Sequence, residues 1–192
     1  MSEQREIVDY LKSRRSVTAP FLAEPGPNAD QLAELLEIAT RVPDHGMVVP
    51  WRLVIIAGDE RAKAGEKLAQ IAKSNDPSIS EEMIEMERNR FLPAPMTIGV
   101  ISTASIHPKV PELEQLLSAG CVCMNLVHGA NALGFAAHWV TRWFAFDKAA
   151  TKMLGAKDNE QFVGFVHIGT STITPQERAR PAIADVVEYW SS

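Results

Sequence analysis

Apolar positions along the chain follow two periods, and the alternation between them lays out the elements. From Glu6 to Arg14, Ile7, Tyr10 and Leu11 fall at helical spacing, which predicts a short helix. Ala19–Pro27 holds three prolines and a glycine and reads as an extended loop. Asn28 is placed to cap a helix running to about Arg41, with Leu32, Leu35, Leu36 and Ala39 on one face, and Pro43 stops it. Trp51–Ala57 (WRLVIIA) reads as a strand closed by Gly58-Asp59, followed by polar-faced helices over Glu60–Ser74 and Ser80–Phe91. Met96–Ala104 is a β-rich buried run, so a second long strand is expected there. A helix then spans about Glu112 to Leu133, ended by Gly134, as a glycine just past a helix end should do. Ala136–Thr141 is a short strand, Asp147 caps a helix to Leu154, and Phe162–Thr170 is a last strand. The final apolar run is Val186–Trp190.

Strands and helices do not alternate one for one. The pattern therefore predicts an α+β fold, a central sheet of four or five strands with helices on its faces, in a single domain over residues 1–192. No G-x-G-x-x-G follows a strand, so the usual dinucleotide-binding fold has no support. Leu116–Ala137 contains no charged residue, but Asn125, His128, Asn131 and several glycines interrupt it. It reads as a central or interface helix, with no membrane span expected.

Composition narrows the function classes. At 192 residues, with 46% hydrophobic and 22% charged residues, the chain is long enough to bury its own core. A net charge of −5 argues against nucleic acid as a partner, although a local basic cluster could still hold one phosphate. The opening residues MSEQREIVDYLKSRR lack the apolar core of a secretory leader, so a cytoplasmic location is expected. Cys121 and Cys123 match neither a redox nor a zinc spacing and read as small buried side chains. The five histidines show no metal-ligand spacing. There is no nucleophile elbow and no Walker A loop, and Glu81, Glu82, Glu85 and Glu87 look like a solvated helical face. No metal and no protein nucleophile is expected.

Three clusters remain as candidate chemistry. Arg14-Arg15-Ser16 ends the first helix; forked guanidiniums and a hydroxyl suit phosphate oxygens, while a solvated helix end would also explain them. Arg178 and Arg180 form a second basic pair near the other end of the chain, again phosphate grip or solvated surface. The rigid loop from Arg41 to His45, followed by Pro50-Trp51-Arg52, could reach the edge of a planar ligand or be an ordinary helix–strand connection.

Taken together and in order, these segments resemble the FMN-dependent nitroreductase family over nearly the whole chain, in particular its compact bacterial NAD(P)H nitroreductases. The resemblance rests on Arg14-Arg15-Ser16, A-x-R-x-P-D-H at Ala39–His45, Pro50-Trp51-Arg52, Ala94-Pro95, Ser118-Ala119-Gly120, Leu133-Gly134-Phe135 and the R-x-R-P tail. It implies a mostly antiparallel sheet, a long buried central helix and a C2 homodimer with FMN at the subunit interface. It also implies ping-pong electron transfer from NAD(P)H (NADH or NADPH) through FMN to a nitroaromatic, quinone or similar small acceptor. Arg14, Arg15 and Ser16 match FMN-binding residues, with Arg178 and Arg180 closing on the same phosphate. Arg41 and His45 match a loop that commonly reaches FMN from the partner subunit. Trp139, Val140 and Thr141 match the segment beside the flavin ring. Gly129, Ala130, Asn131, Ala132, Leu133 and Gly134 correspond to an NAD(P)H region, and Trp143 and Phe144 line the acceptor pocket or pack an interface. Thr18 stands where many members carry a base, and Met47 and Val49 stand where many carry asparagine and glutamine. Thr18 leaves room for a low-turnover flavin carrier or sensor, and within flavoenzymes a specialised member such as a reductive dehalogenase is the other open reading.

Overall fold

A computed structural model describes residues 3–191. They form two compact units. One joins the residues up to Arg15 with those from Thr174 on; the other is Ser16–Ile173. The first unit contains α1 (Glu3–Ser13) and a 3-10 turn at Ile183–Asp185. The apolar run Val186–Trp190 joins no helix or strand, and Val186, Tyr189 and Trp190 are exposed.

The second unit is a five-stranded antiparallel sheet between two layers of helices. Its elements are β1 (Leu22–Ala23), α2 (Ala29–Ala39), β2 (Trp51–Ala57), α3 (Glu60–Asn75), α4 (Glu81–Arg88), β3 (Met96–Ser102), α5 (Glu112–Ala132), β4 (Ala136–Val140), α6 (Lys148–Met153) and β5 (Gln161–Ser171). The strand order is β1-β5-β3-β2, with β4 also paired to β5. The α+β expectation and the antiparallel sheet both hold, as do the bounds of the first long strand. The loop expected at Ala19–Pro27 does contain the two-residue β1, paired with Thr170 and Ser171.

Local chemistry sets the element ends. Asn28 and Gln31 form a reciprocal capping box at α2, and the Asp147 carboxylate accepts from the Ala150 N–H at α6. Gly134 follows α5 at a φ of 86°, a conformation that glycine adopts without a Cβ penalty.

The sheet separates two cores. On one side α2 and α5 pack Leu35, Val122, Leu126 and Ala130 against Ile98, Val100, Val166 and Ile168. On the other, Leu68, Phe91, Phe144 and Ala150 cover Ile56, Ile101, Phe162 and Phe165. Cys123 is buried in the first core, where desolvation pushes its thiol pKa up to about 12, as an inert packing residue requires. Cys121 instead is exposed. Gly129 lets α2 and α5 approach: a Cβ there would sit 2.8 Å from Leu35 Cδ1.

Two histidines face each other across β4 and β5, His138 opposite His167. His167 Nδ1 shares a 2.7 Å hydrogen bond with Thr97 Oγ1. Burial, then His138, Arg142 and Arg90, pushes the His167 pKa down to about 3. The folded chain therefore keeps this ring neutral where an unfolded histidine, with a pKa of about 6.5, takes a proton. Its contribution to stability is intact above that value and is lost as pH falls from there toward 3, at up to about 1.4 kcal/mol per pH unit. Urea unfolding midpoints between pH 7.5 and 4 should fall along such a limb, and the limb should be shallower in His167→Gln; an equal slope in the variant would assign the acid sensitivity to carboxylates.

Candidate functional site

In the first unit the two remote arginine clusters meet. Arg15 Nε donates to the Gln176 carbonyl at 3.2 Å and lies 3.7 Å from Glu177 Oε1. Arg180 Nη2 lies 3.8 Å from the same carboxylate oxygen, while its Nη1 donates to the Arg178 carbonyl at 2.9 Å. The end of α1 and the tail thus converge two guanidiniums on one acidic oxygen. Arg14 Nη1 is buried with no hydrogen-bond partner among the described residues. A buried guanidinium donor left unpaired is costly, and an anion is the group that satisfies it. This donor set fits a phosphoryl group: forked, permanently charged and already drawn together. Arg178 itself is exposed.

In the second unit the remaining candidates fall on a few short stretches. Ser16 and Thr18 are exposed where this unit begins. Arg41 and His45 share the loop between α2 and β2, and both are exposed. The loop is strained: Gly46, Met47 and Val49 have φ of 72°, 54° and 49°. For a β-branched residue such as Val49 that is a genuine outlier, of the kind that costs about 1–3 kcal/mol and persists only where surroundings enforce it. Asp44 does part of the enforcing, its carboxylate accepting from Val48 N–H at 3.1 Å and Val49 N–H at 2.9 Å.

Helix α5 supplies the rest. Asn125 Nδ2 donates to the Arg41 carbonyl at 2.9 Å and the Ile38 carbonyl at 3.2 Å. Ser118 Oγ donates to the Pro43 carbonyl, and Glu114 Oε2 meets His45 Nδ1 at 2.8 Å. The spacing of four and seven residues puts Glu114, Ser118 and Asn125 on one face of the helix. None of the three was a sequence candidate; a polar residue every turn or two along an apolar helix was the available signal.

Trp139 lies on β4, partly exposed, followed by half-buried Val140 and exposed Thr141. Its indole lies over Gly164 of β5, where a Cβ would come within 2.1 Å of Nε1. Beside Gly164 the β3–β5 register shifts, leaving Val163 as an extra residue. A glycine next to a bulge is a common way to re-aim a side chain at a site.

Other candidates take structural roles. Phe144 does not line a pocket. It is fully buried, its ring edge-on to Phe91 and Phe165 at centroid distances of 5.6 and 4.9 Å, because the turn at Trp143–Ala145 turns it into the second core. Trp143 stays half-buried against it. Within 129–134, Gly129 and Ala130 are buried, Asn131 Nδ2 donates to the Val127 carbonyl, and Ala132 and Gly134 are exposed with Leu133 half-buried between them. Arg52, beside Pro50-Trp51, is committed to Glu160 and the Gly155 carbonyl, and its hydrogen bonds pull the Glu160 pKa down to about 2. Among the described residues no group of histidine, cysteine and acidic side chains could hold a metal ion, and no helix is long and apolar enough to cross a membrane.

The sequence profile of the Nitroreductase family matches residues 11–170. The chain belongs to the nitroreductase family. That membership places it among oxidoreductases as a class. It is 33% identical over 180 residues to YdjA of Escherichia coli, which bears the name of an NAD(P)H nitroreductase, covering 93% of each chain. Among solved structures, a nitroreductase-like family protein from Bacillus cereus superposes with a TM-score of 0.83 at 23% identity over all of both chains. The FMN and NADPH-dependent nitroreductase NfnB of Sphigopyxis sp. strain HMH superposes with a TM-score of 0.70 at 17% identity, over 96% of this chain and 98% of its own. These two likenesses establish the fold.

Gly164→Ala is expected to displace the Trp139 indole and to destabilise the fold by about 1–3 kcal/mol, the usual cost of forcing an extra methyl into a packed site. Denaturant unfolding together with the tryptophan emission maximum checks this; an unshifted emission with wild-type stability contradicts the seating of the indole.

Proposed function

We propose that the chain is a single-domain FMN-dependent oxidoreductase that passes electrons from NADH or NADPH to a nitroaromatic, quinone or similar small acceptor, in alternating half-reactions. The observation that carries this reading is the meeting of Arg15 and Arg180 on one carboxylate oxygen, together with a buried Arg14 donor that has no hydrogen-bond partner among the described residues. The names of YdjA and NfnB supply the donor and flavin chemistry by kinship.

Bound FMN supplies the hydride and electron chemistry. The residues of the chain bind and orient it. Arg14, Arg15, Ser16, Arg178 and Arg180 hold the phosphate and ribityl chain. Trp139, Val140 and Thr141 border the ring. Arg41 and His45 reach the flavin of a partner subunit. The stretch ending in Asn131, Ala132, Leu133 and Gly134 serves NAD(P)H, with Gly129 and Ala130 packing the helix behind it, and Trp143 borders the acceptor pocket. No side chain is assigned as nucleophile or acid–base catalyst.

A C2 homodimer is part of the proposal. On the face of α5 turned away from the core, Leu113 and Leu117 are 65% and 60% exposed, next to exposed Cys121. Large side chains left bare along a central helix suit an obligate interface, which resembles a core cut in half. The location proposed is the cytoplasm.

A second reading, a flavin carrier with little turnover, is favoured by the uncharged Thr18 and by Met47 and Val49 in the strained loop. Anaerobic mixing separates the two: rapid bleaching of the bound flavin by NADPH or NADH marks the enzyme, and an inert yellow protein marks the carrier.

Purified protein is expected to be yellow and to release FMN rather than FAD. In Arg14→Ala/Ser16→Ala, FMN titration by fluorescence should show a loss of about 10- to 150-fold for each charge-assisted bond removed, at about 1.5–3 kcal/mol apiece. Undiminished retention of FMN would falsify the phosphate assignment.

A further inference from the structure

The loop from Arg41 to Val49 is held from behind by one face of α5. Asn125 grips the Arg41 carbonyl, Ser118 the Pro43 carbonyl, and Glu114 the imidazole of His45. The first two fix main chain; only Glu114 fixes a side chain that reaches solvent. Gly46, Met47 and Val49 hold left-handed conformations within the same loop, so its path is enforced by these contacts together with the Asp44 carboxylate rather than by backbone preference.

We infer that Glu114 is the positioning residue for His45, fixing which ring nitrogen carries the proton and leaving Nε2 as the atom that meets ligand. This rests on the reading of His45 as a flavin-contacting residue. A carboxylate only accepts hydrogen bonds, so the proton shared across the 2.8 Å contact belongs to Nδ1. Nε2 has no partner among the described residues, and the His45 side chain is 58% exposed. In the neutral ring held this way Nε2 carries the lone pair, and the ligand group that suits it is a hydroxyl or an N–H, as on a ribityl chain or a ring edge. The arrangement is that of histidines in metal sites, where a carboxylate behind one nitrogen sets the orientation and tautomer of the other. His45 and Glu114 are 69 residues apart and lie on different elements, which only the packing of α5 brings together.

The test uses the full chain labelled with 15N-histidine, with His45 assigned by the signal lost in His45→Gln. Wild-type His45 should give the Nδ1–H tautomer in its neutral form, and Glu114→Ala should move it to the mixture of an unrestrained imidazole. FMN titration should then show Glu114→Ala weakening binding about tenfold, the order of one lost hydrogen bond, and having no further effect in a His45→Ala background. Glu114→Gln, which keeps an accepting oxygen at the same reach, should restore most of the tautomer. An unchanged tautomer in Glu114→Ala, or losses in FMN affinity that simply add, overturns the positioning role. A wild-type chain that shows the Nδ1–H form but takes up no FMN overturns the flavin reading, and with it the ligand assigned to Nε2, while leaving the Glu114–His45 pairing standing.

Discussion

The burial of α5 is the constraint on which the rest of the second unit depends. Val122, Cys123, Leu126 and Ala130 are all below the solvent surface, packed between the sheet and α2. Taking such side chains out of water contributes roughly 1.5–3 kcal/mol for each large one, so the rotation of the helix about its axis is set by its core face. At 3.6 residues per turn, fixing one face fixes every other. One flank then carries Glu114, Ser118 and Asn125 to the α2–β2 loop, and the remaining face turns Leu113 and Leu117 outward. Core, loop support and exposed apolar stripe are thus three consequences of one packing decision.

The strained loop shows what that support is for. Left-handed backbone at Val49 would relax in a loop tethered only at its ends. Here Asp44 satisfies the Val48 and Val49 amides from inside the turn, while three α5 side chains restrain the stretch from Arg41 to His45. Trp139 is treated similarly: a bulge at Val163 and the bare backbone of Gly164 give its indole a seat on β5 that any side chain would deny it. In both places rigid elements hold an exposed group in one orientation, the condition under which a binding residue contributes affinity without an ordering cost.

Local rules made most of the fold legible. The apolar run in Trp51–Ala57 closed by Gly58-Asp59, the Asn28 and Asp147 caps and Gly134 after α5 each express a signal contained within a few residues. The readings that failed needed distant information. Phe144, which follows the segment Trp139–Thr141, was a candidate for pocket lining or interface packing; its place between Phe91 and Phe165 depends on residues about fifty positions before and twenty after. Glu114 was no candidate, since an acid in the first turn of a helix is favourable through the dipole alone and nothing local points to His45. His138 and His167 were weighed only for metal spacing along the chain, while their real relation is cross-strand register. Leu22–Ala23 was hidden among prolines because two residues of strand exist only by virtue of their partner, β5.

The family resemblance implies that the two arginine clusters come together, and electrostatics explain how Arg15 and Arg180 can meet. Two guanidiniums drawn toward one point repel each other, and without compensation the tail and the end of α1 would separate. The Glu177 carboxylate lies within 4 Å of both, and the Gln176 carbonyl accepts from Arg15, so the first unit contains its own counter-charge. Glu177 is well exposed, which keeps each of these ion pairs weak. A weak internal pairing brings the cations together without committing their remaining donors. That is the balance a phosphate-binding pair of arginines requires, because donors committed to a tight bridge, as Arg52 Nε and Nη2 are to Glu160, are not available to a ligand.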